Sequence, residues 1–161
     1  MELIKTAIFT IIMPGSVTVL FPYLILWPQR SQLHLLLSLQ QYVGAIFMLT
    51  GISIYVWCAL DFALKGKGTP APIDPPKKLV VSGAYRYVRN PMYVAVMCVL
   101  IGESLLFASL ALLLYAATVF LCFNLFVMLY EEPVLTSKFG ESYKDYCRRV
   151  SRWLPRVQSY S

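Results

Sequence analysis

Apolar residues fall into three long blocks along the chain, separated by polar stretches. Ala7 to Leu26 is about 20 residues, enough to cross a hydrocarbon core of ~30 Å at ~1.5 Å per helical residue. Leu35 to Leu60 forms a second block of sufficient length. The third, Met92 to Tyr130, would extend roughly 58 Å as one helix, about twice what a bilayer needs. It must therefore fold back. Its single charge is Glu103, followed by Ser104 and Ser109, so the turn is expected within 103–109. The pattern predicts an all-α, polytopic membrane protein of one domain, 1–161, with four transmembrane helices at about 7–26, 35–60, 91–107 and 109–130. The last two form a tight helical hairpin, and a polar loop, 61–90, precedes it.

Beyond the hairpin, Phe139, Tyr143, Tyr146 and Val150 recur at helical spacing, with Lys138, Lys144, Arg148 and Arg149 on or beside the other faces. This predicts a cytosolic amphipathic tail helix over 134–153, lying on an anionic membrane surface.

Composition sharpens the class. Of 161 residues, 58% are apolar and 14% charged, against about 45–50% and about 25% in soluble domains. A soluble globule of this size would lack the polar residues to cover its surface. The net charge of +6 invites a nucleic-acid reading, and the placement of the charges answers it. Four crossings put both termini and the 61–90 loop on one side. That side carries thirteen lysines and arginines, and the other carries only Arg30. The asymmetry predicts cytosolic termini, loop and tail. Topology and anionic headgroups thus account for the basicity, without nucleic acid. The first span is too long, and Phe21-Pro22-Tyr23-Leu24 too bulky, for a cleaved signal peptide. The short chain favours a bacterial inner membrane over the endoplasmic reticulum.

Ordinary site chemistry is thinly represented. Cys58, Cys98, Cys122 and Cys147 form no CxxC pair, and His34 stands alone, so neither a metal site nor a thiol oxidoreductase is expected. Four prolines within 70–76 exclude a regular helix there. Gly66-Lys67-Gly68-Thr69 lacks the upstream glycine of a phosphate loop.

Two stretches carry chemistry. In Ser82-Gly83-Ala84-Tyr85-Arg86-Tyr87-Val88-Arg89-Asn90-Pro91-Met92-Tyr93, Asn90 suits an N-cap and Pro91 a first helical position. The helix start, with Arg86 and Arg89 beside it, favours a small anion, and the tyrosines offer faces for a cation. Tyr130-Glu131-Glu132-Pro133 sets two carboxylates against the negative end of the fourth span, where they need a compensating partner. The hairpin brings the two stretches side by side. A zwitterion with a carboxylate, an ammonium and a cationic sulfur would match both, and direct Arg–Glu pairing would neutralise both.

Val81 to Tyr93, then Glu131-Glu132-Pro133, then Phe139-Gly140 with Tyr143 and Tyr146 resemble the isoprenylcysteine carboxyl methyltransferase and phospholipid methyltransferase superfamily over about residues 61–155. The resemblance implies an integral membrane methyltransferase using S-adenosylmethionine (SAM) and a lipid or lipophilic acceptor at the cytosolic face. It implies that Lys77, Lys78, Leu79, Val80, Tyr85, Asn90, Pro91, Met92 and Tyr93 wall the cofactor, with Glu131 and Glu132 at its polar end. Gly66 and Gly68 align with a glycine-containing cofactor stretch. Arg86 and Arg89 are substrate or anion candidates. No catalytic residue is assigned, because an activated sulfonium donor needs chiefly alignment and desolvation. The prenylcysteine enzymes carry histidine where Asn90 stands and an arginine where Val127 stands, so the strings lie nearer the phospholipid N-methyltransferases. The acceptor stays open between an amine, a carboxylate and a thiol. A small four-helix transporter and a non-catalytic membrane scaffold are the rival classes.

Overall fold

The computed structural model describes residues 12–28, 38–65, 79 and 81–155. Residues 7–11, Arg30, His34, Gly66, Gly68, Lys77, Lys78 and Val80 lie outside the described residues.

The described residues are helical. Helix α1 is Ile12–Leu26, whose middle turn, Ser16–Leu20, is a π turn. Helix α2 is Leu39–Lys65, α3 Pro91–Leu106 and α4 Leu110–Phe126. A π turn, Val127–Glu131, carries α4 directly into α5, Glu132–Phe139, and α6 is Glu141–Arg149. A 3-10 turn, Gly83–Arg86, precedes α3. Among the described residues no strand forms, and Val88 and Ser151 make one isolated parallel bridge.

Helix α2 and the continuous run Leu110–Phe139 are long and apolar enough to cross a membrane, while α1 and α3 are shorter apolar helices. Helix α3 is central, packed against α2 and α4, with α1 leaning on both α3 and α4. Three glycines permit the α2–α3 contact, Gly44, Gly51 and Gly102; a Cβ on Gly51 would lie 2.6 Å from the Ala95 carbonyl oxygen. A Cβ on Gly44 would lie 2.7 Å from the Gly102 carbonyl oxygen, and one on Gly102 would lie 2.6 Å from Met48 Cγ. Small residues allow this close approach where no hydrophobic drive exists between helices. Gln40 and Gln41 then donate to the Leu105 and Leu106 carbonyls, each at 3.2 Å, satisfying the end of α3. Val96, Leu100, Ala116 and Val119 form the core between α3 and α4. Ile46, Leu49, Leu114, Leu121 and Leu129 remain exposed, as a hydrocarbon surround permits.

The chain reverses at Phe107, Ala108 and Ser109. Ala108 takes φ 48°, and Ser109 Oγ accepts from the Leu112 amide at 3.4 Å. Glu103 is buried one turn earlier.

The tail differs from the single surface helix expected over 134–153. Pro133 does not break the run, because it sits in the first turn of α5, and the preceding π turn accommodates its missing N–H. The break falls at Gly140, φ 56°. The apolar face of α6 does not rest on lipid. Tyr143, Tyr146 and Val150 are buried against Leu79, Val81, Leu135, Phe139 and Cys147.

Candidate functional site

The reversal at 107–109 sets the start of α3 beside the end of α4. Tyr93, in the first turn of α3, donates its hydroxyl to Glu131 Oε2 at 2.9 Å. The Tyr93 ring packs against Phe123 of α4, centroids 4.7 Å apart. Among the described residues, Tyr93 supplies the side-chain hydrogen bond that Glu131 receives. The π turn shifts the helical register just before the carboxylate, a feature that recurs where a helix must aim a side chain. Val127, at the other end of that turn, is fully buried.

The segment before α3 is fixed from two sides. Ser82 Oγ donates to Asp61 Oδ2 at the end of α2, 2.9 Å. Gly83 takes φ +57°, and a Cβ on it would lie 2.7 Å from the same Asp61 oxygen. From the tail, Tyr146 donates to the Tyr85 carbonyl at 2.6 Å. These contacts hold the Tyr85 side chain in a half-buried position, where Cys58, Glu131, Tyr146 and Tyr93 act on it electrostatically. Burial, reinforced by those neighbours, pushes the Tyr85 phenol well above its ordinary range, so it stays a neutral donor.

Glu132 faces elsewhere. Arg152 Nε and Nη2 donate to its two oxygens, each at 2.8 Å, and Arg89 Nη1 donates to Oε1 at 2.9 Å. A bidentate fork plus a second arginine is the strong form of a charge-assisted bond. Arg89 Nη1 also reaches Cys147 Sγ at 2.7 Å, and the Arg89 amide donates to the Ser151 carbonyl at 2.9 Å. The carboxylate raises the Arg152 guanidinium above its already high range. Glu132 thus ties three pieces of chain together: the approach to α3, the start of α5 and the segment after α6.

The candidates from sequence separate accordingly. Tyr85, Tyr93 and Glu131 converge. Glu132 accepts from both Arg89 and Arg152, so one carboxylate faces two guanidiniums and Arg89 points into the protein. Arg86 is exposed. Pro91 is buried at the first position of α3, and Met92 is half-buried beside it. Asn90 is at the N-cap position but does not cap. Its backbone is not in a capping conformation, and its Nδ2 donates to the Arg152 carbonyl at 3.2 Å instead. The tail competes successfully for this side chain because Arg152 is already clamped by Glu132. Leu79 packs under the α6 face.

Sequence reasoning missed Asp61, Asn124, Arg152 and Trp153. Asp61 and Asn124 were visible as isolated polar residues in apolar runs. Arg152 and Trp153 gave no local signal, because their partners lie 20 and 29 residues away. Among the described residues, no three His, Cys, Asp or Glu side chains group to hold a metal ion.

Residues 39–142 match a family model described as phospholipid methyltransferase. The chain belongs to this family. The match to the phospholipid methyltransferase family runs from α2 to the start of α6 and includes Tyr85, Tyr93, Glu131 and Glu132. It stops before Arg152 and Trp153. A curated relative is the cobalt-zinc-cadmium resistance protein CzcN of Cupriavidus metallidurans, 30% identical over 105 residues. That alignment covers 65% of this chain and 44% of the relative, so the chain spans less than half of the relative's length. No solved structure matches the chain.

Proposed function

We propose that this protein is a membrane-embedded methyltransferase that binds SAM at the cytosolic mouth of the α3–α4 hairpin and methylates a lipophilic acceptor. The observation that carries the reading is the Tyr93–Glu131 pair, with Tyr85 beside it, at that mouth. SAM is cationic at sulfur and at its amino group, and a carboxylate among neutral phenols and aromatic faces is the donor set that suits it. When bound, the cofactor supplies an activated methyl group.

The chain's own residues do the rest. Glu131 holds the cationic end, Tyr93 keeps that carboxylate oriented with Tyr85 beside it, and the walls of α3 and the 81–90 segment exclude water. The cofactor-contacting set is Tyr85, Asn90, Pro91, Met92, Tyr93 and Glu131 with Leu79, joined by Lys77, Lys78 and Val80 of the preceding loop. Glu132 belongs to the scaffold. Burial of Val127 and the pairing of Arg89 and Arg152 with Glu132 leave few cations to orient a substrate carboxylate, which favours an amine acceptor. An amine must lose its proton to attack, and, with Glu131 held by the cofactor's cationic end, a water accepts it. In this reading the chain is one membrane domain with four spans and both termini in the cytosol, in a bacterial inner membrane.

The test is transfer of labelled methyl from SAM to a lipid extract by the purified protein in vesicles. Labelled lipid is expected, falling at least about tenfold in Glu131→Gln. A folded protein that labels no lipid, with or without Glu131, would overturn the proposal.

A further inference from the structure

The segment after α6 does more than close the fold. Ser151 bridges to Val88, and Arg152 is clamped by Glu132 while its carbonyl takes the Asn90 amide. With the two residues before it fixed, Trp153 is directed between α3 and α4. Its indole packs on Tyr93 of α3, centroids 6.4 Å apart, and on Phe120 of α4, 5.3 Å apart. Its Nε1 donates to Asn124 Oδ1 at 3.1 Å.

Asn124 stands in an otherwise apolar stretch of the span, where an amide is costly without a partner. Seven residues separate it from Glu131, or ~10 Å along the helix. Phe120, on its outer side, is 41% exposed on a helical run long and apolar enough to cross a membrane. Tyr93, on the inner side, is bonded to Glu131. The indole therefore stands between the lipid-facing surface of α4 and the candidate cofactor carboxylate.

We propose that Trp153, positioned by Asn124, is the bilayer-side gate that determines which lipophilic acceptor reaches the methyl donor. The inference rests on the methyltransferase reading and deepens it. A lipid entering between α3 and α4 must displace or slide past the indole. The Asn124 bond sets the resting position and hence the width of the opening. Asn124 is a positioning residue, since it acts through Trp153.

The test begins from Trp27→Phe/Trp57→Phe protein in phosphatidylcholine–phosphatidylglycerol vesicles, which leaves Trp153 as the sole indole. Phospholipids brominated on the acyl chain should quench its fluorescence, and aqueous iodide should quench it weakly. Asn124→Leu should change the extent of lipid quenching. In methyl transfer to a lipid extract, Trp153→Ala should broaden the range of labelled lipids. Asn124→Leu and Trp153→Phe should each raise the acceptor KM about tenfold, with SAM affinity held within about twofold. The double variant should be no worse than either single, because both remove one bond.

Quenching by iodide but not by brominated chains places the indole in water and overturns the proposal. So does an unchanged acceptor range and KM in protein that transfers methyl groups. A wild-type protein that binds no SAM removes the methyltransferase reading itself, and the gate with it, even where lipid quenching is seen.

Discussion

Replacing Glu132 with glutamine would leave the Arg89 and Arg152 guanidiniums facing an amide in a site where their side chains are 13% and 28% exposed. Breaking such a pair costs most when it is buried, and this one is partly wetted, so a loss of about 1–3 kcal/mol is expected. Thermal unfolding in detergent measures it as a lower melting temperature. Glu131→Gln should leave the melting temperature nearly unchanged and weaken SAM binding instead, because among the described residues no cation pairs with it. The two variants together separate scaffold from site. A pH effect belongs to the same scale. Burial holds the phenols of Tyr85 and Tyr143 above the ordinary value of ~10. Folding favours their protonated form, so that contribution is complete below pH ~10 and declines as pH rises above it. In an alkaline absorbance titration of the folded protein, Tyr85→Phe should therefore remove a late-ionising tyrosine and leave the early ones unchanged.

Helix packing is governed by positions where a single methyl has nowhere to go. Gly102→Ala drives a Cβ to 2.6 Å from Met48 Cγ and 2.7 Å from the Gly44 carbonyl oxygen. Separating α2 from α3 should cost about 1–3 kcal/mol of stability. Gly140→Ala meets nothing within 4 Å, so only the backbone resists it: φ 56° with ψ −130° is a conformation close to glycine's alone, at about 1–3 kcal/mol. Unfolding measurements should find both variants destabilised, Gly102→Ala through helix packing and Gly140→Ala through the backbone alone. At this scale the apolar pattern was a sound guide to the helices themselves and poor at their ends. The length of the 92–130 block demanded a reversal, and Glu103, Ser104 and Ser109 marked its neighbourhood. Nothing local marked the π turn before Glu131, since its register depends on how Pro133 and Tyr93 are accommodated together. Nor did spacing reveal what covers the α6 face. Phe139, Tyr143, Tyr146 and Val150 form the same stripe whether it meets lipid or Leu79 and Val81.

Across the whole molecule, the helical hairpin brings two distant stretches of sequence together, and both lie within the family match. Adjacency of Tyr85, Tyr93 and Glu131 was legible because the hairpin fixes it. The different duties of Glu131 and Glu132 were not, because they depend on Arg152, which lies past the matched region and reaches back through tertiary contact. The charge asymmetry carries its own prediction: a reporter fused after Ser161 should be active only on the cytosolic side of the membrane. The central claim is that the mouth of the α3–α4 hairpin is a SAM site with Glu131 at its cationic end. Isothermal calorimetry of SAM with wild-type, Glu131→Gln and Glu132→Gln proteins in detergent tests it most directly. The account predicts micromolar binding by wild type, at least about tenfold weaker binding in Glu131→Gln, and a smaller loss in Glu132→Gln that tracks its stability. Wild-type affinity in Glu131→Gln, or no SAM binding by a folded wild type, would contradict it.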